Sequence, residues 1–142
     1  MDKHQIREQV FRIIFGIGFQ ADRDPEVLIS QYIDETCDVE LKSADRRKIS
    51  EKALMVCEKI PEIDEKINAV AEGWKTNRMG KAELNILRLA VYEILYDTGV
   101  PVKVAINEAV ELAKEYCNDD APAFINGMLA RFVPEENETV TM

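Results

Sequence analysis

Apolar residues recur at helical spacing along almost the whole chain. Ile6, Val10, Ile13, Ile14 and Ile17 form one stripe and predict a first helix over about residues 3–18. Asp24-Pro25-Glu26 reads as the start of a second, with the aspartate as N-cap and proline in the first helical position. Leu28, Ile29, Tyr32 and Ile33 give that helix its apolar face. Ser43 is the expected cap of a third helix, which buries Ile49, Ala53, Val56, Cys57 and Ile60. Pro61 is read as opening a fourth, with Ile63, Ile67 and Val70 at helical spacing. A break around Gly73 to Gly80 holds the single tryptophan, Trp74. The fifth helix, about residues 81–97, is apolar around most of its circumference, through Leu84, Ile86, Leu87, Leu89, Ala90, Val91, Ile94 and Leu95. Its polar strip is narrow (Lys81, Asn85, Arg88, Tyr92, Tyr96), which is the pattern of a central helix. Gly99-Val100-Pro101 separates it from a sixth helix that keeps Val102, Ile106, Ala109, Ala113 and Tyr116 inward. A seventh starts at about Asp120 and turns Ile125, Met128, Leu129 and Phe132 inward. With no strand pattern, the chain predicts a single all-α domain over residues 1–133, its neighbouring helices mostly antiparallel. Residues 134–142 have no core-forming pattern and read as a flexible tail.

At 142 residues such a domain buries roughly 70% of its unfolded surface, enough for a core without staples. The net charge of −9 argues against strong, unspecific binding of nucleic acid. It is unevenly spread: in residues 1–23, Lys3, Arg7, Arg12 and Arg23 outnumber Asp2, Glu8 and Asp22 by one. Any contact with a polyanion is therefore expected near the N-terminal segment. No apolar run approaches the ~18 residues of a membrane span. The first apolar residues are interrupted by Arg7, Glu8, Gln9 and Arg12, unlike a signal peptide. Both features point to the cytoplasm.

Catalytic chemistry finds little to work with. The only histidine is His4, in a first turn expected to fray. Cys37, Cys57 and Cys117 are far apart and form no CxxC pair, so no metal site is expected. Gly16-x-Gly18 is not followed by the third glycine of a nucleotide loop. Glu108, Glu111 and Glu115 line one side of the sixth helix, with Lys114 beside them, as a solvated face.

Two places suit binding instead. On the first helix Lys3, His4, Arg7, Phe11 and Phe15 fall within one third of the circle, a small basic patch interleaved with rings. Single-stranded RNA is held in this way, cations meeting phosphates and rings stacking on bases. The same two rings equally suit a widened core face. On the last helix Phe124 sits at the rim, beside Arg131 and Gly127. A helical glycine costs about 1 kcal/mol relative to alanine, so something should approach closely there. A flipped base stacking on Phe124 is one reading; ordinary helix packing through Gly127 is the other. Asn107 and Asn126, at the edges of their apolar arcs, suit hydrogen bonds across helix contacts.

The segment ILRLAVYEILYDTGVPVKVAINEAVELAKEY (86–116), followed by DDAPAFINGML (119–129), closely resembles the NusB family of transcription antitermination factors. Trp74, Arg78 and the opening IREQVFRIIF also fit. The resemblance implies an all-α, seven-helix NusB-like fold of two three-helix bundles sharing a long central helix, with no cofactor and no metal. It implies binding of boxA-type single-stranded RNA from ribosomal RNA leader transcripts together with NusE, a small-subunit ribosomal protein. The pair would join the elongating RNA polymerase complex and suppress premature termination. The RNA-facing positions it implies are Lys3, His4, Arg7 and Phe124, with Asp120 nearby; the partner-facing position is Glu83, in the first turn of the central helix.

The chain departs from the family at its start. Many members begin with a dense run of arginines, where this one has MDKHQIREQ. Each missing phosphate contact removes favourable counterion release. RNA binding by the protein alone is therefore expected to be weak, or to need NusE. The alternative function is a non-enzymatic adaptor that binds NusE or polymerase with little direct RNA contact.

Overall fold

The computed structural model describes residues 1–133 except 19, 21, 37–40, 72 and 74; Cys37, Trp74 and the expected tail at 134–142 lie outside the described residues. The chain divides into two compact units, Met1–Glu62 and Ile63–Met142. The first contains α1 (Lys3–Ile17), α2 (Pro25–Thr36) and most of α3 (Ser43–Val70). The second contains the end of α3, a 3-10 turn (Thr76–Arg78), α4 (Lys81–Tyr96), α5 (Val102–Tyr116) and α6 (Ala121–Ala130). The described residues form helices and connections without a strand.

The all-α class is as the periodicity predicts, but the helix count is not. Six α-helices occur among the described residues instead of seven, because Pro61 lies inside α3 rather than opening a new helix. Proline lacks the N–H that would bond to the Cys57 carbonyl, and its ring crowds that carbonyl. The apolar face on either side of it outweighs this cost: Val56, Ile60, Ile63 and Ile67 are all buried. The same residue type is at home in a first helical turn, so the sequence by itself suits both arrangements. The long helix that runs through the unit boundary is thus α3, at 28 residues, and not α4, at 16.

In the first unit, α1 begins in a capping box. The Gln5 amide donates to Asp2 Oδ1 at 2.8 Å and the Asp2 amide donates to Gln5 Oε1 at 2.9 Å. Two of the free N–H groups at the helix start are thereby satisfied. The N-terminal amine also lies 3.4 Å from Asp45 Oδ2. The start of α1 is tied down rather than frayed. Val10, Phe11, Ile13 and Ile14 of α1, Ile29 and Ile33 of α2, and Ile49, Ala53 and Val56 of α3 are buried in this unit, where α1 packs on α2. Gly16 lets α2 come close: a Cβ there would stand 2.2 Å from the Tyr32 ring. Gly18 ends α1 at φ 64°, a left-handed value that glycine adopts freely.

In the second unit α4, α5 and α6 pack on one another. Every residue of α4 from Asn85 to Glu93 is buried. This includes Asn85, Arg88 and Tyr92 of the expected polar strip, while Leu95 is exposed. The strip is inside because its polar groups are paired. Arg88 forks onto Asp64 of α3, Nε to Oδ1 at 2.9 Å and Nη2 to Oδ2 at 2.7 Å. Its Nη1 donates to Asn85 Oδ1 at 3.2 Å, and Asn85 Nδ2 donates to the Lys81 carbonyl at 2.8 Å. A planar guanidinium matched to a carboxylate is the arrangement that makes such burial tolerable. On α5 the inward row is Ala105, Ala109, Leu112 and Ala113, with Ile106 half-buried and Tyr116 exposed. Small side chains there admit both neighbouring helices, and the bulky residues sit at the margins. Asn107 and Asn126 are exposed, contrary to a role across helix contacts.

Candidate functional site

The residues singled out from the sequence fall into two groups. Lys3 and His4 are exposed in the first turn of α1, held there by the Asp2–Gln5 box. Arg7, one turn on, is only 6% exposed. Its charge is therefore not presented on the surface as Lys3's is. Phe11 is buried at 2%, which makes it a core ring, whereas Phe15 is 44% exposed with its ring centroid 5.8 Å from that of Phe11. Of the two rings in the basic patch, the core claims one and solvent meets the other.

Asp120, Phe124 and Glu83 come together in the second unit. They line one cavity of about 510 Å³, with Arg78, Met79, Gly80, Asn118 and Ala121. The helix starts explain the arrangement. Glu83 stands in the first turn of α4, which begins after Gly80. Asp120 precedes α6 and Phe124 follows one turn later. The cavity therefore lies where two helices begin and α5 ends. Phe124 is half-buried, with an edge open to the cavity. The cation sharing that space is Arg78, whereas Arg131, the expected neighbour, donates a hydrogen bond to the Val70 carbonyl.

Gly127 sits one turn beyond Phe124 on α6. A Cβ built on it meets no heavy atom of the described residues within 4 Å. The reading of Gly127 as a helix-packing residue is thus overturned: no described helix takes the space a side chain would fill. What remains is exposed backbone one turn from Phe124.

Glu83 is more constrained than the sequence indicates. Its side chain folds back over Gly80, so that a Cβ there would lie 2.0 Å from Oε2. The Cys117 thiol at the end of α5 donates a hydrogen bond to the same side chain. Burial, the negative charge of Glu83 and that hydrogen bond push the thiol up to about 12. Cys117 had no assigned role in the sequence, since only the fold brings it to Glu83. The Gly80-x-x-Glu83 spacing, by contrast, carries a legible hint: a glutamate three residues after an N-cap reaches back towards it.

Among the described residues no group of histidine, cysteine and carboxylate side chains is placed to hold a metal ion. No described helix is long and apolar enough to cross a membrane.

Comparison with known proteins matches the sequence and the fold to one family. The model of the NusB family matches residues 4–134. The transcription antitermination protein NusB of Agathobacter rectalis is 44% identical over 132 residues, covering 93% of this chain and 99% of that one. The solved structure of T. maritima NusB superposes with a TM-score of 0.81 at 31% identity, covering 96% of each chain. A chain in the crystal structure of antitermination factors NusB and NusE in complex with dsRNA shares the fold, with a TM-score of 0.76 at 22% identity over 93% of this chain and 97% of that one. With the match running through both units and through the Phe124-Ile125-Asn126-Gly127 turn of α6, the chain belongs to the NusB family.

Proposed function

We propose that the protein is a transcription antitermination factor that binds boxA-type single-stranded RNA together with NusE and joins the elongating RNA polymerase complex. It acts by binding, not catalysis, in the cytoplasm, and residues 1–133 work as one RNA-binding domain. The observation that carries the RNA-binding reading is the open space over the exposed backbone at Gly127, one turn from the half-buried ring of Phe124. A base can stack on such a ring and still approach the helix closely. Lys3 and His4 supply surface charge or hydrogen bonds to phosphate, with Arg7 contributing from its buried position. Asp120, at the cavity wall, accepts hydrogen bonds from base edges. Glu83 faces a basic group of NusE, the pairing of opposite charge that fixes register between partners.

The adaptor reading has a specific point in its favour. Of the cations at the start of α1, only Lys3 is an exposed, permanent charge, on a chain of net charge −9. Substitution of Phe124 separates the two. Phe124→Ala is expected to lower affinity for a boxA-like RNA about tenfold, as loss of one stacked base would, with little change in melting temperature. Unchanged RNA affinity in a folded variant would leave the adaptor reading standing alone.

A further inference from the structure

The wall of the cavity at Glu83 is built from two directions. From its own helix, Gly80 leaves the space into which the carboxylate folds; Oε2 occupies the place that any side chain at position 80 would take. Gly80 has φ −61°, which every residue adopts, so its backbone conformation does not require glycine. What glycine provides here is room. From the end of α5, Cys117 donates its S–H to the same side chain. The thiol is held neutral there, so it remains a donor throughout the physiological range. A carboxylate on a three-bond side chain in a first helical turn would otherwise sample several rotamers. Held from both sides, it stays at the cavity wall with Asp120 and Phe124.

We propose that Gly80 and Cys117 are positioning residues for Glu83, fixing its carboxylate at the cavity wall so that it meets a cationic group of the protein partner already oriented. This rests on the reading of Glu83 as the contact to NusE. Ordering the side chain before binding lowers the entropy lost on association. It also explains why a glycine and a thiol, neither able to form an ion pair, belong to a charged site.

Two measurements on the full chain test it. The first needs no partner: the alkylation rate of Cys117 by iodoacetamide at pH 8.5, followed by peptide mass spectrometry. Glu83→Gln removes the negative charge, and Gly80→Ala displaces the carboxylate; each should raise the rate at Cys117 several-fold. Equal rates in all three proteins would overturn the proposal. The second is NusE affinity by calorimetry. Cys117→Ala and Gly80→Ala should each weaken binding several-fold, while Cys117→Ser, which keeps a donor, should bind like the parent. Made on top of Glu83→Gln, Cys117→Ala should cause no further loss. An equal loss in both backgrounds would mean that Cys117 acts on the structure generally and would overturn the proposal. A parent protein that binds no NusE would defeat the proposed function, and accelerated alkylation in the variants would still support the positioning of Glu83.

Discussion

Gly127 costs α6 about 1 kcal/mol in helix propensity relative to alanine, and among the described residues nothing packs into the space its side chain would fill. A helical glycine with open space where its side chain would stand leaves room for a group from outside the chain. Gly127→Ala should therefore raise stability by about 1 kcal/mol in urea denaturation while lowering RNA affinity several-fold. A stabilised variant with full RNA affinity would remove the ligand-based account of this glycine. Glu83 is the opposite case, a charged side chain with contacts on two sides inside its own unit. Glu83→Lys reverses the charge at the cavity wall and should weaken NusE binding by an order of magnitude or more in calorimetry; equal affinity would move the partner contact elsewhere. Both residues show how far single positions could be read in advance. Glycine at 127 was conspicuous in sequence because helices disfavour it, but whether a neighbour filled the space depended on tertiary structure. Arg7 was one turn from Lys3 on the same face, and spacing could not distinguish a surface cation from a buried one.

Hydrophobic spacing located nearly every helix, because burying one stripe is what makes a helix of this length stable. The errors have definite causes. Pro61 looks like a boundary, yet the apolar face continues across it from Val56 to Ile67 and α3 runs on. On α5 the expected inward row holds at Ala109 and Ala113, but its bulky members Val102, Ile106 and Tyr116 sit at the margins and Ala105 and Leu112 complete the packed row, since α4 and α6 both press on it. On α4 the narrow polar strip is legible, but the burial of its Asn85, Arg88 and Tyr92 is not. The partner that makes the burial of Arg88 possible, Asp64, lies 24 residues away, and this pairing is not encoded in any local pattern. That pair ties α3 to α4 within the second unit and should matter for stability. Arg88→Ala leaves the Asp64 carboxylate, 22% exposed, without its fork, and should cost about 3 kcal/mol. Urea denaturation giving a loss below about 1 kcal/mol would show the network to be dispensable. The cavity that brings Glu83, Asp120 and Phe124 together follows from helix ends meeting, so each residue was identifiable but their shared wall was not.

Over the whole molecule, an acidic chain of net charge −9 whose first 23 residues expose only Lys3, Arg12 and Arg23 among their lysines and arginines is poorly suited to hold RNA by charge alone. Binding by stacking and shape, with further positive charge brought by a partner, fits this balance. The salt dependence of RNA binding by the protein alone should accordingly be shallow, since few counterions are released. These expectations converge on one measurement: fluorescence anisotropy of a short boxA-like RNA, with and without NusE, at two salt concentrations. The account predicts weak, weakly salt-dependent binding by the protein alone, and tight, sequence-dependent binding once NusE is present. A firm complex with NusE that adds no affinity for the RNA would contradict it and leave a protein–protein adaptor in its place.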